Sequence, residues 1–152
     1  MAETILVIDD EPSMLCFLKQ RLALEGFTVS TAGSGIDGIN QAIDLPPDLI
    51  LLDLRMPGCD GTEVCQMLRA NPKTQHIPII VVTAVLLPEQ LEQAMASGAD
   101  DFAFKPIDMT DLLVRVRALL DSRGSQDAVE RRQKRYNEIA REMSGESTRP
   151  LA

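Results

Sequence analysis

Tryptophan is absent from this 152-residue chain, and histidine and tyrosine occur once each, as His76 and Tyr136. A single histidine excludes a metal centre built on imidazoles. Its setting, Gln75-His76-Ile77-Pro78 ahead of an apolar run, reads as a surface loop. The three cysteines, Cys16, Cys59 and Cys65, are odd in number and form no CxxC pair. Reduced thiols are therefore expected, with Cys16 and Cys65 packed on helices and Cys59 partly exposed in a loop. No apolar run is long enough to span a membrane. The first residues carry no basic segment ahead of a signal-peptide core, and Ile5–Ile8 is cut at once by two aspartates. These absences point to the cytosol. Positive charge is scarce too. Within a net charge of −8, residues 1–121 hold 8 bases and 18 acids, and residues 122–152 hold 7 bases and 5 acids. A body this acidic argues against direct nucleic-acid binding driven by general basicity, and it favours a cation.

What is present is an alternation. Apolar runs of strand length alternate five times with amphipathic runs of helix length. Strands are expected at about 4–9, 27–31, 48–53, 78–83 and 101–105, and helices at about 12–25, 35–44, 62–70, 88–97 and 108–121. The apolar faces of the helices are Met14, Leu15, Leu18 and Leu22; then Ile36, Ile39, Ala42 and Ile43; and, in the fifth, Leu112, Leu113, Val116, Leu119 and Leu120. Pro12 suits a first helical turn, and Gly26, Pro46-Pro47, Asn71-Pro72 and Gly98 punctuate the rest. Strands one, three and four are near-continuous aliphatic runs, as in a parallel sheet covered on both faces. Five units are too few for a closed eight-fold barrel of about 250 residues. The expected class is α/β, a doubly wound five-stranded parallel sheet of order 2-1-3-4-5 with helices on both faces.

Residues 1–121 form the expected domain, and 122–152 a helical tail or linker. Ser122–Gln126 reads as a break, and 127–143 as a polar helix whose thin stripe is Val129, Tyr136, Ile139 and Met143. Residues 144–152 read as disordered. The tail is expected either to fold back on the domain or to bind a partner or a second copy.

Several strands end in polar residues that their hydrophobicity does not explain. Ile5–Ile8 runs into Asp9-Asp10, Leu49–Leu52 into Asp53, Ile79–Val82 into Thr83, and Phe102–Phe104 into Lys105-Pro106. In an open parallel sheet the carboxyl ends share one edge, where ligands bind. Three carboxylates, a hydroxyl and an ammonium converging there suit a divalent cation and a phosphoryl group, with a carboxylate available to be phosphorylated. A competing signal is Gly33-Ser34-Gly35-Ile36-Asp37-Gly38, literally the dinucleotide GxGxxG. It would make the second strand the nucleotide strand and leave Asp9, Asp10, Thr83 and Lys105 without a role, so it reads as a loop and a helix start.

The segments ILVIDDEP, LILLDLRMPGCDG, IIVVTA and GADDFAFKPID, in that order and each at a strand end, resemble the receiver domain of two-component response regulators, over residues 3–121. The resemblance implies that Asp53 is the phosphoacceptor, a carboxylate that holds phosphate as an acyl phosphate. It implies Mg²⁺ beside Asp53, bound directly by Asp10, mainly through water by Asp9, and by the Arg55 backbone carbonyl. Lys105 then pairs with the phosphate as a point charge, and the Thr83 hydroxyl and Ala84 N–H donate to it. Phe102 matches the switch aromatic coupled to Thr83, and the Lys105-Pro106 bond matches one that is cis in the family. Arg55 and Val85 occupy positions that edge the pocket and tune phosphoryl lifetime. Arg55 is placed to shield or pair with the phosphoryl, and Val85 offers no polar group to orient a water.

The implied function is a regulator, not an enzyme acting on other molecules. A sensor histidine kinase or phosphotransfer protein phosphorylates Asp53, and the face made by the fourth helix, fifth strand and fifth helix then binds a protein partner. Other outputs are a phosphate sink or relay, or the receiver part of a longer regulator. An Mg²⁺-dependent aspartyl phosphatase is a remote rival, since it prefers DxD on its first strand, where this chain has Asp9-Asp10-Glu11. Asp100-Asp101 with Arg115 and Arg117 resemble the dimer-forming face of receivers joined to winged-helix transcription factors. The fourth helix carries Glu89 and Glu92 and no base, so that ion-pair set is incomplete. A monomer or a weak dimer, with the tail as a candidate for pairing, is expected.

Overall fold

The computed structural model describes residues 2–84, 88–122 and 128–143, without the side chains of Cys59 and, in the last segment, of residues 128, 129, 131, 139, 140, 142 and 143. The expectations placed on Val85, on the break at 122–126 beyond Ser122, on residues 144–152 and on the side chains of Val129, Ile139 and Met143 lie outside the described residues.

The chain runs β1 (Thr4–Ile8), α1 (Pro12–Leu24), β2 (Thr28–Ala32), α2 (Gly35–Asp44), β3 (Leu49–Asp53), β4 (Arg55–Met56), β5 (Cys59–Asp60), α3 (Gly61–Ala70), β6 (Ile79–Thr83), α4 (Pro88–Ala96), β7 (Asp101–Phe104), α5 (Met109–Ser122) and α6 (Ala128–Met143). Five strands form one parallel sheet in the order β2-β1-β3-β6-β7. This is the doubly wound order the alternation predicts. The antiparallel pair β4–β5 was not expected.

Side chains alternate across a strand, and here the alternation sorts the core into two layers. Leu6, Ile8, Ile50, Leu52, Ile79 and Val81 face the layer covered by α2, α3 and α4. Ile5, Val7, Leu49, Leu51, Ile80 and Val82 face α1 and α5. β3 and β6 are buried throughout, whereas β2 and β7, the edge strands, are only partly so. That is why Thr28–Ala32 and Asp101–Phe104 lack a continuous aliphatic run.

Two sequence expectations shift in detail. Ile36 is 65% exposed, because Gly35, Gly38, Ile39 and Ala42 form the buried face of α2. Cys16 is exposed rather than packed, since α1 buries Leu18 and Leu22 and Cys16 falls off that stripe; Cys65 is buried as expected. The GxGxxG segment has structural work. Ser34 caps α2 by accepting from the Asp37 N–H at 3.2 Å. Gly38 lies so close to the Ile8 side chain that a Cβ would overlap it. The glycine brings α2 onto β1 immediately before Asp9.

α6 returns to the body. Tyr136 packs against the layer that includes Leu91, Ala94 and Met95 of α4.

Candidate functional site

β1, β3 and β6 deliver Asp9, Asp53 and Thr83 to one edge because they are parallel and in register, Ile8 beside Leu52 and Asp53 beside Val82. β7 adds Lys105, whose N–H donates to the Thr83 carbonyl at 2.9 Å. Asp9, Asp53 and Thr83 are buried, at 2%, 6% and 1% exposure, and Asp10 and Ala84 are exposed. Ligand oxygens of Asp9, Asp10 and Asp53 all lie within 4.8 Å of one another.

The Lys105 ammonium sits among these acids. Its Nζ is 3.0 Å from Asp9 Oδ2, 3.5 Å from Asp53 Oδ2 and 3.8 Å from Glu11 Oε2. Burial pulls the Lys105 value down, but the hydrogen bond to Asp9 and the charges of Asp53, Asp9 and Glu11 outweigh it, leaving the ammonium above its ordinary value. Asp53 is raised too, which for a carboxylate disfavours the charged form. Burial first, then the Asp9 charge and, least, Asp10, raise it to about 6 against the lowering by the Arg55 N–H and Lys105. That N–H donates to Asp53 Oδ1 at 3.2 Å. The Arg55 side chain is exposed and borders a cavity of about 580 Å³ with Met56, Asp60, Thr62 and Gln90.

Neither aspartate of the pair caps α1. The N-cap is Glu11, with no side-chain cap bond, and Asp9 Oδ1 accepts from the Glu11 N–H at 2.9 Å. Gly61 lets α3 start against the backbone at the end of β3: a Cβ there would lie 2.7 Å from the Leu54 Cα and 3.0 Å from the Asp53 carbonyl oxygen. The Lys105–Pro106 peptide is cis. Phe102 stands edge-to-face with Phe104 at 5.1 Å, and the Arg115 and Arg135 guanidinium carbons lie 5.4 and 5.3 Å from its ring centre.

The donor set fits a hard divalent cation. It offers carboxylate oxygens within reach of each other, with no nitrogen or thiolate ligand in the cluster.

A family model for the response regulator receiver domain matches residues 5–117. The chain belongs to that family. Receiver domains are regulatory modules of two-component systems, in which phosphorylation and Mg²⁺ binding at an acidic pocket are typical. This receiver is 44% identical over 116 residues to the DNA-binding dual master transcriptional regulator RpaA of Synechocystis sp., covering 76% of this chain and 48% of that protein. It is 43% identical over 119 residues to the response regulator PleD of Caulobacter vibrioides, covering 78% and 26%. The chain thus spans about half or less of these curated relatives. Among solved structures, the receiver domain of the sensor histidine kinase PA1611 from Pseudomonas aeruginosa PAO1 superposes with a TM-score of 0.75 at 27% identity, covering 80% of this chain and all of that one. That structure holds a magnesium ion coordinated in its active site cleft. The receiver domain of a signal transduction histidine kinase from Syntrophus aciditrophicus gives a TM-score of 0.76 at 30% identity, covering 82% and 95%. Among the described residues no helix of the receiver is long and apolar enough to cross a membrane.

Sequence reasoning missed Arg69. Its guanidinium donates to the carbonyls of Gly98, Gln75 and Ile77 and pairs with Asp100 at 2.8 Å. Asp100, buried, also accepts from the Ile79 N–H at 2.8 Å. Its partners lie 21 and 31 residues away, so no local spacing announces them. Asp100 is therefore an internal tie in this receiver. Asp101 pairs with Arg115 at 2.8 Å and with Arg135 of α6 at 3.0 Å, and Arg117 pairs with Glu25 at 3.3 Å. The four residues likened to a dimer face are engaged within the chain.

Proposed function

We propose that this chain is a phosphorylation-controlled response regulator that accepts a phosphoryl group on Asp53 from a histidine kinase or phosphotransfer protein. The observation that carries the reading is a buried carboxylate, Asp53, flanked by two more carboxylates and by the Lys105 ammonium at the carboxyl edge of the sheet. The Asp53 carboxylate oxygen bonds to phosphorus as the donor's P–N bond breaks, and the leaving imidazole takes a proton from solvent. Asp10, Asp9, Asp53 and the Arg55 carbonyl would hold Mg²⁺, which when bound offsets carboxylate repulsion and charge on the transferring group. Asp10 would bind it directly. Asp9, already turned to Lys105 and the Glu11 N–H, would act mainly through water. Lys105 exchanges Asp9 for a phosphoryl oxygen, and the Thr83 hydroxyl and Ala84 N–H donate to the others. Arg55, exposed beside the pocket, shields the phosphoryl. Phe102 is the switch residue, and the face of α4, β7 and α5 is the output surface. The chain catalyses its own phosphotransfer and slow dephosphorylation, works in the cytoplasm, and acts by contact with protein rather than by binding DNA itself. Phosphate relay and the receiver part of a longer regulator share this chemistry. The return of α6 onto the body favours protein contact.

The test is incubation with Mg²⁺ and a small acyl-phosphate donor, followed by intact-mass analysis of wild type and Asp53→Asn. Wild type gains one phosphoryl mass and the variant none. An equal adduct on the variant would falsify the assignment.

A further inference from the structure

The face that bears Asp100, Asp101 and Phe102 is already occupied by α6. Arg135 pairs with Asp101 at 3.0 Å and lies over the Phe102 ring, Arg132 approaches Asp100 Oδ1 at 3.7 Å, and Tyr136 rests on the core layer beside α4. The contact is a charge match. The body is acidic, and the helix presents two guanidinium groups one turn apart with an aromatic ring next to the second.

The seat is incompletely filled. Arg132 Nη1 is buried without a hydrogen-bond partner, a state that polar groups in a permanent interface seldom keep. A cavity of about 480 Å³ is lined by Arg132 together with Arg69, His76 and Gly98, and another of about 320 Å³ by Arg132, Met95, Gln133 and Tyr136. Among the described residues, the other charged tie of α6 to the body is the Arg135–Asp101 pair, whose side chains are partly exposed.

We infer that this face is a recognition site for a basic amphipathic helix of a partner protein, with two arginines a turn apart and a neighbouring aromatic, and that α6 is its displaceable occupant within the same chain. The partner binds only when α6 leaves. The inference adds a surface and a partner class to the output face and requires no phosphoryl transfer.

Two measurements on the full chain test it. Tyr136 is the only tyrosine and tryptophan is absent, so tyrosine emission reports on α6 alone. Acrylamide quenches Tyr136 less in wild type than in a free peptide of residues 128–143, and Arg132→Glu with Arg135→Glu restores free-peptide quenching. A labelled peptide of residues 128–143 then binds that variant at least about tenfold more tightly than wild type, whose own helix competes at high effective concentration. Adding Asp101→Ala to the variant removes the gain. Arg132→Gln with Arg135→Gln serves if circular dichroism shows the charge reversal unfolded. Equal peptide binding by wild type and variant, no binding by either, or free-peptide quenching in wild type overturns the proposal. Protection that vanishes on dilution together with a halving of mass also overturns it, because the occupant would then be a second copy's helix. Both readouts are taken on the unphosphorylated chain, so a failure of phosphorylation at Asp53 leaves the test standing.

Discussion

At the scale of single residues, Asp53 is a carboxylate that the fold makes hard to ionise. Its value of about 6 lies above the ordinary 3.8, so the folded chain holds the proton more tightly than the unfolded chain does. The sign follows: stability falls as pH rises from about 4 to about 6 and then levels, because the unfolded state binds fewer protons in that window. Asp53→Asn, which removes the charge, is expected to stabilise the metal-free protein by about 1–3 kcal/mol near neutral pH and to give no gain near pH 4. Thermal melts at the two pH values check this, and destabilisation at neutral pH would refute it. Mg²⁺ should narrow the difference by restoring the wild-type carboxylate. The same cluster ranks its two neighbours. Titration calorimetry should show a larger loss of Mg²⁺ affinity for Asp10→Asn than for Asp9→Asn, since a water-mediated contact is partly replaceable; equal or reversed losses would sink that ranking.

Between elements, ties cross long stretches of sequence. Arg69 joins α3 to the segment before β7 through Asp100, and Arg69→Ala leaves that carboxylate buried without its guanidinium. A loss of about 3–5 kcal/mol is expected, read from urea midpoints, and a change under 1 kcal/mol (about tenfold in equilibrium constant per 1.4 kcal/mol) would show the tie to be dispensable. A second expectation concerns α6. β7 carries Phe102 under Arg135 and leads directly into Lys105 at the acidic cluster. Loading Asp53 with a phosphoryl mimic should therefore change Tyr136 emission or anisotropy. No change with saturating mimic would uncouple the helix from the site. These elements also mark what was legible in the sequence. β1, β3 and β6 were readable because each is buried on both faces and so nearly uniform in composition. The edge acids and Lys105 were readable because polar residues interrupt those runs. The β4–β5 pair was not, since two-residue strands carry no period. The exposure of Ile36 and Cys16 was not, since a helix face is decided by which neighbour covers it. The seat of α6 was not, because its acidic half lies in Asp100 and Asp101, whose partners are fixed only in three dimensions.

For the molecule as a whole, the order of the sheet matters more than any one contact. Asp9 and Lys105 meet at 3.0 Å across 96 residues of chain, and β3 and β6 lie between β1 and β7 in the sheet. Contacts of such separation form late, after long loops have closed. The acidic cluster can therefore assemble without its balancing ammonium for as long as β7 is missing. A chain emerging during synthesis would hold Asp9, Asp10 and Asp53 well before Lys105, and a cation present then would meet three carboxylates with no internal counter-charge. Addition of β7 is thus a change in electrical state as well as in shape: with it the fold supplies the acidic site with a counter-ion of its own, Lys105.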